Sequence, residues 1–201
     1  MTTQRTEDAP TVTAAGSARR APWAVWGVAA GVLGFVAHLA TDPQGSLTVA
    51  ERQSGAAAVD LVDRSNYRVG AVAGFLAVAC LLVAAAGWRR MLEARSDGLA
   101  ARVVPTALVA AAGAMTIGYG FKGTMAVYLP GGINDGEYTR EGIYTLFMVN
   151  DLVPFFAWLG VVVAAAAVAV LALGEHLLPR WIGAVSVLAV LPPPASSSSP
   201  A

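Results

Sequence analysis

Four side chains of this sequence could do chemistry at membrane depth: His38, Lys122, Asn150 and Asp151. Each lies inside or at the edge of a long apolar run, where an ionisable or strongly polar group is costly unless it is paired or used. Lys122 is the only lysine of the chain, so its place among apolar residues does not reflect a lysine-rich composition. A Lys122–Asp151 pair would lower, for each partner, the cost of leaving water. With His38 and Asn150 beside it, the set offers a cation, an anion, an imidazole and a neutral amide, the parts of a ligand site or an ion pathway. The same residues also have an ordinary reading. Lys122 would then snorkel to the headgroups. Asn150 would cap a helix, with Asp151 favoured by the N-terminal dipole, and His38 would be a single interfacial imidazole.

No catalytic set accompanies these four. The sequence contains no HExxH, no GxSxG, no Walker A loop and no dinucleotide fingerprint. Ser186 is the only serine within an apolar segment, so an intramembrane serine hydrolase lacks its parts. Cys80 is the only cysteine, which excludes an intramolecular disulfide or a Cys-pair redox centre. It falls mid-segment among apolar residues, where a thiol is inert packing. A haem held by two histidines needs both at one depth, and His38 and His176 are expected at opposite ends. No metal or cofactor is implied. Formal net charge is zero, which gives no global pull toward nucleic acid.

The elements that must position these residues are apolar helices. The chain is 56% hydrophobic and only 13% charged, with mean hydropathy +0.60, against about 25% charged residues in soluble domains. The run from Leu152 to Leu173 carries no charge over about 22 residues, roughly 33 Å as a helix, enough to cross the hydrocarbon core of a bilayer. A helix apolar on every side belongs in lipid or in the core of a large protein. Pro22–Ala40 reads as a first span, with Trp23 and Trp26 at the interface and Gly27 and Gly31 forming a GxxxG pair for close helix approach. A cleaved signal peptide is disfavoured, since His38 stands where a small residue is wanted before a cut near Ala40. Val69–Trp88 reads as the second span, with Gly70 and Gly74 repeating the small-xxx-small spacing. The third runs from Val103 to Leu129, interrupted by Lys122 and ended by Pro130-Gly131-Gly132. The fourth either starts near Asn150, or starts near Ile143 and tilts. Trp181–Leu191, about 11 residues, is too short to span. It reads as a half-inserted helix or as the start of a fifth span of a longer protein.

Between the spans, Leu47–Val62 is expected to form a surface helix capped by Thr48 or Ser46. Residues 1–21 read as a disordered tail, 22–191 as one transmembrane helical domain, and 192–201 as a Pro/Ser-rich tail. Arg5, Arg19 and Arg20 precede the first span, and the second loop holds Arg89, Arg90, Arg95 and Arg102. That distribution predicts a cytoplasmic N-terminus. It would bring His38, Lys122, Asn150 and Asp151 together near the outer leaflet, below an acidic third loop. The preference for Arg over Lys fits a GC-rich bacterial genome, and hence a bacterial cytoplasmic membrane.

Two stretches carry a resemblance. In NYRVGAVAGFLAVACLLVAAAGWRRML (66–92) an aromatic-Arg pair opens a span that ends in an aromatic and basic residues. In HLLPRWIGAVSVLAV (176–190) Leu-Pro-Arg leads into a final helix. With the layout between them, the chain resembles a bacterial family of uncharacterised multi-pass membrane proteins, known as a domain of unknown function. The resemblance implies a helical membrane bundle and supplies no activity or catalytic residue. That family continues through a complete last span, whereas this chain turns to LPPPASSSSPA.

The expectation is therefore an all-α integral membrane bundle, with four transmembrane helices and a short partial fifth. It is expected to bind a partner protein, a second copy, a lipid or a small apolar molecule. A transporter or channel using Lys122 and Asp151 is the alternative, and a membrane-embedded enzyme a further one.

Overall fold

The computed structural model describes residues 22–39 and 48–191. The terminal tails and the first part of the first loop, including Ser46 as a possible cap, lie outside the described residues. Among the described residues the fold is all-helical, with no strand. Helix α1 spans Trp23–Leu39. A short helix α2, Val49–Gln53, leads into a 3-10 turn, Gly55–Leu61. Helices α3 (Arg64–Glu93), α4 (Leu99–Tyr128) and α5 (Arg140–Ala169) follow, each of 30 residues. A π-helical turn, Val170–Gly174, extends α5, and α6 covers Arg180–Val190.

Polar residues set the starts. Thr48 caps α2 in a full capping box. Its hydroxyl accepts from the Glu51 N–H, while its own N–H and hydroxyl donate to the Glu51 carboxylate at 2.6 and 2.7 Å. The Leu47–Val62 stretch is not one helix, however. α2 ends at Ser54, and Gly55 adopts φ +67°, a left-handed conformation that glycine takes without steric cost. Asp63 caps α3 by accepting from the Ser65 N–H at 2.8 Å, and Thr139 caps α5 by accepting from Gly142. At the far end of α5, His176 takes φ +56°, and the Leu177 N–H donates to the Leu171 carbonyl at 2.9 Å. This closure satisfies a carbonyl that the ending helix would otherwise leave open.

α4 runs through Lys122 without a break, and α5 starts at Arg140, well before Asn150. The longer of the two starts open in the sequence is thus the one taken. An apolar stretch becomes a continuous helix because Ile143–Val149 follows a capped first turn, and nothing between it and Asn150 breaks the helix. Among the described residues two helices, α3 and α4, are long and apolar enough to cross a membrane. α1, the stretch Leu159–Gly174 and α6 are shorter apolar helices. At about 1.5 Å per residue, α6 reaches roughly 16 Å, about half a bilayer core.

Packing follows chain order: α1 lies on α3, α3 on α4, α4 on α5, and α6 against the end of α5 and its π turn. Small residues let the backbones approach. An ideal Cβ on Gly160 of α5 would stand 2.8 Å from the Ala107 carbonyl oxygen and 2.8 Å from Ala111 Cβ of α4. Gly183 of α6 sits as closely under Ala172 and Leu173. Two apolar cores tie the ends of the bundle. At one end Leu92, Val104, Val168, Leu171 and Leu178 pack together. At the other, Val59 of the 3-10 turn joins Tyr67, Met125, Leu129, Ile143 and Phe147. An ion pair between Arg140 and Asp60, 3.0 Å, fastens that turn to the start of α5. Large apolar side chains stay exposed along the outside of the helices, among them Val28, Val32, Val72, Leu76, Phe156 and Leu159.

Candidate functional site

No close backbone packing joins α1 to α5 among the described residues. The four long helices therefore form an open arc, and its concave side holds a cleft of about 620 Å³. The cleft is lined from α1 by Gly27, Gly31, Gly34, Phe35 and His38, and from α3 by Ala77 and Leu81. α4 contributes Leu108, Met115, Tyr119 and Lys122, and α5 contributes Asn150, Ala157 and Val161. The spacing explains this lining. Residues 27, 31, 34 and 38 fall on one stripe of α1, as do 108, 115, 119 and 122 on α4 and 150, 157 and 161 on α5. Because the helices alternate in direction, His38, Lys122 and Asn150 all lie at one end of the cleft. Gly27, Leu108 and Val161 lie at the other.

The polar end is built by contacts between helices. Lys122 is 8% exposed, and its Nζ donates to the Ala37 carbonyl over 3.4 Å. Ala37 belongs to the last turn of α1, whose carbonyls have no partner further along the helix. A cation against that carbonyl also meets the negative end of the helix dipole. Asn150 is 5% exposed, and its Oδ1 has no hydrogen-bond partner among the described residues. It sits more than two turns inside α5, so it cannot cap that helix; Thr139 does so. The N-cap reading of Asn150 is thereby corrected. His38 is exposed and lines the cleft from the last turn of α1. Asp151 has its backbone in α5, but its side chain lies outside the described residues, and the Lys122–Asp151 pair lies outside them as well. His176 stands at the other end of the bundle from His38, after the π turn.

The glycines divide by environment. Gly74 lies directly under the Tyr119 ring, which also meets Phe75 edge-on at 6.4 Å. Gly70 is buried within α3. Gly27 faces Ala84, where a Cβ would come to 3.8 Å. Gly31 faces open space, with nothing within 4 Å of an ideal Cβ. It lines the cleft.

Tyr119, Gly34 and Met115 were not singled out from the sequence. Their signal is the shared stripe with Lys122 and with Gly27, Gly31 and His38, which acquires meaning only once two helices face each other across a gap. Among the described residues no three His, Cys, Asp or Glu side chains gather to hold a metal ion.

No family model, curated protein or solved structure matches the chain. The chemistry must be read from the cleft itself. It is apolar along most of its length and polar at one end. The stretch from Gly27 to His38 measures roughly 16 Å along α1, close to the ~15 Å that one leaflet of a bilayer contributes to the hydrocarbon core. Its volume falls within the ≈ 300–1,000 Å³ common for small-molecule sites. Such a shape can hold one extended apolar chain with a small polar head.

Proposed function

We propose that this protein is a multi-pass protein of a bacterial cytoplasmic membrane that holds a small apolar or amphipathic molecule in the cleft between α1 and α5, without catalysing its reaction. In this reading α1, α3, α4 and α5 cross the bilayer, α6 inserts partway, and the N-terminus faces the cytoplasm. Support for the membrane setting comes from the two long apolar helices and from the large apolar side chains on their outer faces. Water would leave those side chains exposed at a cost of about 25 cal/mol per Å². The observation that carries the function is the cleft: about 620 Å³, apolar over its length, with buried Asn150 and Lys122 at one end. The decisive experiment is titration of the full chain in nanodiscs with a fluorescent long-chain probe. Saturable binding at one probe per chain is expected. Partitioning that grows linearly with probe, as in empty nanodiscs, would contradict the reading.

Lys122, buried at membrane depth, favours a second reading, a transporter that moves an ion or small molecule past it. A saturable flux in proteoliposomes, lost in Lys122→Met, would replace the first reading with this one.

A further inference from the structure

One hydroxyl opens onto the cleft with no hydrogen-bond partner among the described residues. Tyr119 projects from α4; its ring lies over Gly74 of α3 and meets Phe75 edge-on. Its Oη would stand 3.8 Å from an ideal Cβ on Gly34 of α1. Tyr119 and Gly34 both line the cleft, so α3 holds the ring while the hydroxyl faces the gap beside the glycine stripe. Tyr119 is only partly buried, and its Oη is not one of the sealed side-chain atoms. A molecule in the cleft can therefore touch it. Neither a hydrogen bond nor an ion pair engages this hydroxyl among the described residues. Gly34 precedes His38 by four residues, about 6 Å of helix rise, so Oη stands roughly one turn inside the polar end. In the membrane setting proposed above, water is scarce at that depth. A phenolic O–H left without an acceptor there loses its hydration for nothing. The occupant of the cleft can supply the acceptor. An ionised carboxylate would carry a charge to that depth, at a cost, whereas a neutral carbonyl carries none. The cleft continues on both sides of Tyr119, toward His38 one way and toward Leu108 and Val161 the other. A carbonyl held at this level has room for a head on one side and a chain on the other, the place of a linking group. Of the neutral links, an ester brings no N–H of its own to be desolvated, and an amide does.

We infer that the cleft recognises a single-chain fatty acyl ester whose carbonyl oxygen accepts a hydrogen bond from Tyr119 Oη. The acyl chain lies along the glycine stripe of α1 toward Leu108 and Val161, and the alcohol part of the ester lies toward His38. The inference rests on the ligand-binding reading of the cleft and names the chemistry by which that cleft selects its ligand. From Tyr119 to Leu108 the cleft runs roughly 16 Å along α4, which suits one extended chain. Tyr119 is the residue that sets the preference for a carbonyl. Gly74 is the positioning residue beneath it, since a side chain there would displace the ring.

The test compares three unlabelled competitors that share one saturated chain: a fatty acid methyl ester, the alkyl methyl ether in which a methylene replaces the carbonyl, and the free fatty acid. Each displaces the fluorescent long-chain probe from the full chain in nanodiscs. The ester is expected to bind on the order of 5-fold tighter than the ether, the difference that one net hydrogen bond makes. In Tyr119→Phe, which keeps the ring over Gly74, the ester falls to the level of the ether, while ether binding persists and reports that the variant is folded. Infrared spectroscopy of the ester, isotope-labelled at its carbonyl, reads the bond itself and needs only the wild-type protein. The carbonyl band is expected at lower frequency in the complex than in empty nanodiscs, and an unshifted band would overturn the assignment. Equal binding of ester and ether by the wild-type protein, or an ester preference that survives Tyr119→Phe, would overturn it as well and leave the apolar cleft in place. Tightest binding by the fatty acid would overturn it in favour of an anionic head. Absence of saturable displacement by all three would overturn the ligand-binding reading itself.

Discussion

Gly160→Ala tests the contact that holds the floor of the cleft together. In α5, an ideal Cβ at this position would stand 2.8 Å from the Ala107 carbonyl oxygen, 2.8 Å from Ala111 Cβ and 2.9 Å from the Ala111 nitrogen. Optimal carbon–carbon separations are about 3.5–4.0 Å, so the pair is short by roughly 0.7 Å. Two of the three obstructing atoms are backbone, so rotamer changes cannot relieve the clash. α4 and α5 must move apart. Overpacking of this kind costs about 1–3 kcal/mol, but replacing a mid-helix glycine by alanine also returns about 1 kcal/mol of helix propensity. Gly113→Ala removes that ambiguity. Gly113 lies in the same pair of packed helices, is exposed, and has nothing within 4 Å of its Cβ, so it reports propensity alone. The two variants are expected to differ by about 1–3 kcal/mol, with Gly160→Ala the less stable. Reversible unfolding in mixed micelles, followed by far-UV circular dichroism, measures both. Agreement of the two within about 0.5 kcal/mol, the usual scatter of surface substitutions, would refute the close approach of α4 and α5.

Two further predictions concern the end of the bundle that carries α2. The Thr48 hydroxyl, and then its backbone N–H, hold the Glu51 carboxyl below its ordinary range. A folded-state value below the unfolded one means that this contribution is present above the unfolded pKa and lost as pH falls through the folded value. The Thr48 amide should therefore exchange faster at acid pH than at neutral pH, after correction for intrinsic rates. Glu51→Gln should abolish that pH dependence; a dependence unchanged in Glu51→Gln would contradict the capping box. Arg140→Ala removes a half-exposed ion pair to Asp60, and such pairs contribute about 0–1 kcal/mol. Global stability should thus stay within about 1 kcal/mol of wild type, while hydrogen exchange quickens in the Gly55–Leu61 turn. A change confined to the opposite end of the bundle would contradict the placement of that turn.

The helices themselves were legible from composition. Apolar runs of bilayer length, separated by the Arg-rich second loop and by Pro130-Gly131-Gly132, leave little alternative to long helices joined by loops. Thr48 was one of two caps the sequence offered, beside Ser46, and Glu51 three residues on completes its capping box. The break at Ser54-Gly55 was not, since Ala56–Ala58 would serve equally in a continuous helix. Asn150 was ambiguous for a physical reason. Asn-Asp before an apolar run is a common helix start, and only the Thr139 cap upstream makes those residues interior. That His38, Lys122 and Asn150 lie at one end follows from alternating helix direction, and loop lengths alone suggest it. The cleft does not follow. It depends on α1 packing against α3 without closing onto α5, a lateral placement decided by side-chain fit rather than by any periodicity. Gly160 was likewise hidden, because its partners Ala107 and Ala111 show small-xxx-small spacing on a different helix.

The central claim, that the cleft holds a ligand, is tested most directly at Gly31. This residue lines the cleft with open space over its Cβ position, so Gly31→Leu sets a branched side chain into the cleft from a Cβ that meets no neighbour. Native mass spectrometry of the full chain, released from mild detergent, is the measurement. The wild-type protein should retain a one-to-one adduct with the mass of a single-chain amphiphile, and Gly31→Leu, equally stable, should appear bare. A wild-type chain carrying only a spread of bulk lipids, or a Gly31→Leu chain that keeps the same adduct, would contradict the account.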